Sequence, residues 1–218
     1  MWNHWLGFSV TNKIREQETI VGGEQKHTEE HYKKSLARSI KTCFRLLKPD
    51  RWFSIVFQHW DTSYFATILE TASECGGELK TAITQTGDVI WSMHKKKNSE
   101  SVLAGELILT FYKPAKTVKY KTQPPVPPTD PAAVLSEVFD SCLNNGATSF
   151  TSEALFNRLV IELWHRRALS CLSLNRETFS KQLEHRGWSH NAKNHVWSKA
   201  GHSKKVFTEM MLFDKTAE

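Results

Sequence analysis

The chain has 218 residues, 39% of them apolar and 24% charged, with a formal net charge of +6 and a pI near 9.1. That length holds one large domain or two small ones. No run approaches the roughly 20 apolar residues of a membrane span, and no basic stretch leading into an apolar core marks a signal peptide. The basic balance permits a nucleic-acid partner without establishing one. Four cysteines (Cys43, Cys75, Cys142, Cys171) lie far apart with no metal-ligand spacing. They read as small core residues of a cytoplasmic protein rather than as disulfides.

Residues 1–12 carry Trp2, Trp5, Leu6 and Phe8, too aromatic for an ordinary flexible terminus, and need something to bury them. The polar stretch from Asn12 to Lys26, with Gly22-Gly23, reads as a loop or an excursion with little core. Thr28 followed by Glu29 and Glu30 starts a helix: a capping hydroxyl, then acids at the positive end of the dipole. Its apolar stripe is Tyr32, Leu36, Ile40, Cys43, Phe44 and Leu47. Pro49 stops it and pushes Lys48 out of the α region. Asp50 suits the turn because a short polar side chain tolerates left-handed backbone. Trp52 to Phe57 then has the bulky and β-branched residues of a buried strand. Asp61 or Ser63 caps a second helix, with Tyr64, Phe65, Ile68, Leu69 and Ala72 on one face, ended by Gly76-Gly77. Leu79–Ile90 and Leu103–Tyr112 read as two strands around a basic loop. The second of these is apolar on both faces, which predicts a central strand with a layer on each side.

Lys113 to Pro131 is proline-rich and reads as an extended linker (taken as 115–131), dividing a first domain, 1–114, from a second, 132–218. Leu135, Val138, Phe139, Cys142 and Leu143 form one helical stripe, stopped at Asn145-Gly146. Thr151 or Ser152 caps the next helix, which turns Leu155, Phe156, Leu159, Val160, Leu163 and Trp164 inward. A third helix starts at Asn175, with Leu174 and Phe179 placed for a hydrophobic staple. Trp188 and Val196-Trp197 bracket a polar turn and predict a hairpin. Three helices and a hairpin give the outline of a winged helix.

In order, residues 28–114 give helix, Leu47-Lys48-Pro49 turn, strand, helix, Gly76-Gly77, strand, loop, strand. This order resembles the C-terminal half of class I, Rossmann-like S-adenosylmethionine-dependent methyltransferases. In that family a Leu-Lys-Pro-Gly-Gly turn precedes the fifth strand, and the last strand inserts antiparallel between its neighbours. The aromatic Trp2-x-x-Trp5-Leu6 start and Phe57-Gln58-His59-Trp60-Asp61 are similar to adenine-specific DNA methylases. The resemblance covers about half the chain, and it implies an α/β sheet, S-adenosylmethionine as cofactor in the complete enzyme, and DNA as partner. In that enzyme the adenine amino nitrogen attacks the cofactor's methyl group directly. The departures outweigh the match. Asp-Pro-Pro-Tyr, a Phe-x-Gly-x-Gly turn and an acidic ribose ligand are all missing from the sequence. The chain thus reads as the part downstream of the catalytic motif, inactive alone, and completed by a missing N-terminal half, a second subunit or self-association. The alternative is a non-catalytic DNA-binding or subunit protein that retains half a methyltransferase fold. A fragment of a small-molecule methyltransferase is a third reading.

His59, Trp60 and Asp61 fall at the C-terminal end of a strand, where open α/β sheets bind ligands. In the intact enzyme they would border the adenine pocket, or else Asp61 simply caps a helix while Trp60 packs. Trp2 and Trp5 would flank an extruded base, or pack against the missing half. Lys95, Lys96 and Lys97 would neutralise phosphates, or form a solvated turn. Between 181 and 205, Lys181, Arg186, Lys193, Lys199, Lys204 and Lys205 face one acid, Glu184, a net +5. With Arg176 at the helix start, this reads as a recognition helix and wing on DNA, or as an assembly module. The irregular spacing of His185, His190, His195 and His202 argues against metal. No serine or cysteine nucleophile arrangement is present.

Overall fold

The structure is a computed structural model that describes residue 7 and residues 11–85, 106–115, 130–143, 149–191 and 196–199. Trp2, Trp5, Lys95, Lys96, Lys97, Lys193, Lys204, Lys205 and most of the linker lie outside these residues. The described elements are mixed α and β, with two small three-stranded antiparallel sheets.

The polar entry is not all loop. Thr11 caps a one-turn helix α1 (Asn12–Arg15), and Gly22 and His27 close a tight bridge. Helix α2 (Glu29–Leu46) starts at Thr28, whose hydroxyl accepts from the His31 N–H at 3.1 Å. Its apolar stripe is buried at Ile40 and Phe44. Cys43 departs from the expected stripe: it sits at the rim and is exposed, because a single helix stripe is too narrow to bury both it and Phe44. Lys113 reaches back from the sheet to cap the helix end, donating Nζ to the carbonyls of Phe44 (2.6 Å) and Leu47 (2.7 Å). The following turn places Asp50 at φ +56, where a glycine would sit without strain. Its carboxylate repays the conformation by accepting from the Tyr112 hydroxyl and the Ala115 N–H.

Strand β1 (Arg51–Phe57) leads to helix α3 (Thr62–Glu74), then to β2 (Glu78–Gln85) and β3 (Glu106–Lys113). The sheet order is β1-β3-β2, and β3 runs antiparallel to both neighbours. β1 and β2 are therefore parallel to each other, joined over the sheet by α3. That helix ends in a tight glycine turn: Gly76 takes φ +78, and the Gly77 N–H donates to Ala72 O at 2.9 Å. A Cβ on Gly77 would lie 2.5 Å from the Phe44 ring, so close packing of α2 against this turn requires glycine.

Register assigns the faces. Phe53, Ile55 and Phe57 of β1 stand beside Phe111, Leu109 and Leu107 of β3, and this side is buried under the helices. Phe44 packs edge-on to Phe53 and Phe111, and Phe57 edge-on to Phe65. The opposite side carries Trp52, Val56 and Ile83, exposed to 58%, 53% and 46%. The expectation of layers on both sides of β3 is thus corrected. β3 is central within its sheet, but the described helices cover only one face.

In the second part, Pro131 opens helix α4 (Pro131–Leu143). Asp130 caps it by accepting from the Ala132 and Ala133 N–H groups, and proline is favoured at that first helical position. Then come β4 (Ser149–Thr151), α5 (Ser152–His165), a 3-10 turn (Leu169–Cys171), α6 (Arg176–His185), β5 (Trp188–Asn191) and β6 (Val196–Lys199). The sheet order is β4-β6-β5. Asn175 and Thr178 form a reciprocal capping box, and Leu174 and Phe179 on either side of it are buried. The buried apolar residues of both parts form one continuous cluster. No described helix is long and apolar enough to cross a membrane.

Candidate nucleic-acid interface

The strand end and helix α6 hold the described residues that the sequence singles out. At the end of β1 the chain bends through His59 and Trp60 to Asp61, whose Oδ1 accepts from the Ser63 N–H at 2.8 Å and caps α3. The His59 Nδ1 accepts from the Asp61 N–H at 2.9 Å, which leaves the imidazole proton on Nε2. The His59 ring lies 3.9 Å from Tyr64, centroid to centroid. Burial pushes the His59 pKa down, against the opposing pull of the Asp61 carboxylate. Tyr64 is met edge-on by Tyr32, and Lys33 Nζ stands 4.9 Å over its ring. This corner therefore presents a neutral imidazole and an aromatic pair with one cation beside them.

Trp60 points the other way. Its ring packs edge-on to Phe156 at 5.1 Å and lies 5.9 Å from Phe179, inside the joint between the two parts. The Arg176 guanidinium sits 5.9 Å from the same ring. Trp60 Nε1 and Ser63 Oγ are buried without a hydrogen-bond partner among the described residues. The joint is fastened by Thr62, which is fully buried. Its hydroxyl donates to Leu172 O (3.1 Å) and accepts from Leu174 N–H (3.0 Å), while its own N–H donates to Leu174 O (3.1 Å). His59, Trp60 and Asp61 are thus adjacent in space but do three different things.

The cations of α6 and the hairpin are not brought together either. Arg176 is held at the joint. Lys181 is exposed and paired with Glu177 one turn earlier. Arg186 folds back on α4: its guanidinium lies 4.8 Å over the Phe139 ring, donates to Ser136 Oγ (2.8 Å) and Gln182 Oε1 (2.6 Å), and meets Asp140. Only 17% of that side chain is exposed. Lys199 is exposed at the end of β6. The exposed charges of α6 are therefore Glu177, Lys181 and Glu184, so a sum of charges along the sequence overstates the positive surface of this helix.

Sequence reasoning missed Thr62 and Asn157. Asn157 is buried and donates Nδ2 to Thr84 Oγ1 on β2, tying α5 to the first sheet. Nothing in a threonine at a helix start, or an asparagine within an apolar stripe, announces a long-range partner. Among the described residues no group of His, Cys, Asp or Glu side chains could hold a metal ion. Set against known protein families, characterised proteins and solved structures, the chain matches none of them.

Proposed function

We propose that the chain is the C-terminal portion of a S-adenosylmethionine-dependent DNA adenine methyltransferase, carrying a winged-helix unit and inactive alone. The observation that carries this reading is the sheet order β1-β3-β2, with the last strand inserted antiparallel between two parallel strands. That is the order which the Leu47-Lys48-Pro49 turn and its flanking elements imply by resemblance. The second sheet adds support for a winged helix, since β4, lying between the first and second helices of that unit, pairs with β6, the second strand of the hairpin. The exposed Trp52 and Val56 on edge strand β1 support a covering partner, either the catalytic half, a second subunit or another copy.

The described residues do not fit the cofactor. A methionine cradle needs a glycine turn between a strand and a helix, but Gly22 and Gly23 stand in the small bridge to His27. The acidic ribose ligand, which in that family follows a second strand, would fall in the complementing half, and Asp61 at the end of β1 serves as a helix cap. S-adenosylmethionine would be held by the complementing half. This same misfit favours the second reading, a non-catalytic DNA-binding subunit.

Calorimetry and methyl incorporation separate the two. The chain alone is expected to bind S-adenosylmethionine no better than millimolar and to transfer no methyl group to duplex DNA. Co-expression with the polypeptide encoded immediately upstream, if it carries Asp-Pro-Pro-Tyr, should restore incorporation at adenine. Micromolar cofactor binding by the chain alone would overturn the assignment of missing motifs. A pair that forms no complex and transfers no methyl group would leave the subunit reading in its place.

A further inference from the structure

A continuous positive surface lies on α2 rather than on α6. Lys34, Arg38, Lys41 and Arg45 follow one another at spacings of four, three and four residues. At 3.6 residues per turn these positions lie within about 60° of one another, and at 1.5 Å rise per residue they extend over about 16 Å. Together with Ala37 and Thr42 they line one shallow, open groove along the helix. All four cations are exposed or line its rim. From Lys33 to Arg51 the chain carries seven basic residues and one acid, Asp50, which is engaged with Tyr112 and Ala115.

Competition for this charge is weak. Lys34 pairs with Glu30 one turn away, and Lys41 with Glu74 at 3.2 Å, all of them well exposed. Exposed pairs of this kind contribute little and exchange readily. Arg38 and Arg45 form no ion pair among the described residues, so two guanidinium forks face solvent in line with two ammonium groups.

We infer that this stripe binds the phosphate backbone of duplex DNA. Guanidinium forks match phosphate oxygens in bidentate geometry. A length of about 16 Å lets the four cations meet more than one phosphate along a strand. A lipid surface fits less well, because a helix lying in a membrane needs a free apolar face. The apolar face of α2 is already buried against α3 and the sheet through Ile40 and Phe44, and Leu46 is the one large apolar residue of the helix exposed. The inference uses charge and helix geometry alone and does not depend on the methyltransferase reading. It places a sequence-independent contact on α2, apart from the Lys95-Lys96-Lys97 loop and the 181–205 stretch that the sequence singles out.

The test uses the full chain and a fluorescein-labelled 20-base-pair duplex, with anisotropy read at several salt concentrations between 50 and 200 mM. Arg38→Gln/Arg45→Gln removes the two unpaired guanidinium groups and leaves every buried contact in place. Loss of two phosphate contacts should lower affinity roughly 10- to 100-fold near 0.1 M salt and reduce the slope of log K against log salt by about 1.8. A Lys181→Gln/Lys199→Gln variant tests the hairpin unit in parallel, so failure of the α2 stripe and failure of the winged-helix reading give different patterns. Unchanged affinity and slope in the Arg38/Arg45 variant would overturn the inference, as would a wild-type chain that does not bind duplex at 50 mM salt. So would a variant that loses binding to phosphatidylserine vesicles while keeping its affinity for DNA.

Discussion

Thr62→Val tests whether the two parts of the chain stand or fall together. The substitution keeps the shape of a fully buried side chain and removes only the hydroxyl. Two groups then lose their partner: the Leu174 N–H, in a residue 1% exposed, and the Leu172 carbonyl, in a half-buried residue. Leaving a buried donor unsatisfied costs about 1–3 kcal/mol, and the partly hydrated carbonyl adds less. The expected loss is about 2–4 kcal/mol. Thr62→Ser keeps both bonds and deletes one methyl group, for about 1 kcal/mol. In urea, with a slope of about 2–3 kcal/mol/M for a chain of this size, the valine variant should shift its midpoint down by about 1 M. The residues around this threonine belong to one buried cluster, so wild type is expected to unfold in a single step by fluorescence and circular dichroism. If valine costs no more than serine, the hydroxyl is not fastening the joint.

Three further outcomes follow from local chemistry. Arg186→Ala should destabilise by about 1.5–3 kcal/mol in thermal or urea unfolding, because it strips a largely buried guanidinium from Phe139, Ser136 and Gln182, and Arg186→Lys should fall between; a neutral alanine variant would return this arginine to the surface. The His59 pKa lies below that of the unfolded chain, so the unfolded state binds the extra proton: stability is complete above about pH 6.5 and falls as pH drops towards the folded pKa. An NMR titration of the imidazole should give a value below 6.5, and His59→Asn, which retains an acceptor for the Asp61 N–H, should flatten the urea midpoint between pH 7.5 and 5.5. Burial pushes the Cys142 thiol up to about 12 while Cys43 is exposed, so a maleimide at pH 7.5 should label Cys43 first and Cys142 last, and equal rates would contradict the burial of α4.

Much of the first part was legible because its signals are local. Thr28 with two acids and Asp61 before an apolar face are caps whose partners lie within four residues, and each opens a helix in the structure; in the second part Asn175 does the same, while sequence reasoning missed its reciprocal partner Thr178. Asp50 in a turn that lacks the glycine pair was readable as a left-handed position for the same reason. What the sequence did not yield were partners set by the chain's return in space. β4 is three residues long and forms only because β6 passes beside it. Cys43 fits the helical stripe as well as Phe44 does, but the sheet behind α2 covers only the centre of that stripe. The two-sided apolar pattern of β3 was read correctly as a pattern, yet Ile108 and Tyr112 face the side on which Trp52, Val56 and Ile83 remain exposed.

Charge is where the difference between sequence and space has the most consequence. Along the sequence the two stretches are much alike, with six cations and one acid from 181 to 205 and seven cations and one acid from 33 to 51. In space Arg186 is withdrawn into α4, Arg176 is held beside Trp60, and Lys181 is bracketed by Glu177 and Glu184. The cations of α2 are diluted in the sequence by serine, leucine, alanine and isoleucine, which makes them look like the ordinary polar side of an amphipathic helix. Helical periodicity gathers them into a line, and the apolar residues between them turn inward to the sheet. A basic patch is therefore better judged by what each cation already touches than by its density along the chain. By that criterion Arg38 and Arg45 are the freest guanidinium groups on the two candidate surfaces, and any salt-dependent affinity for DNA should track them before it tracks Arg186.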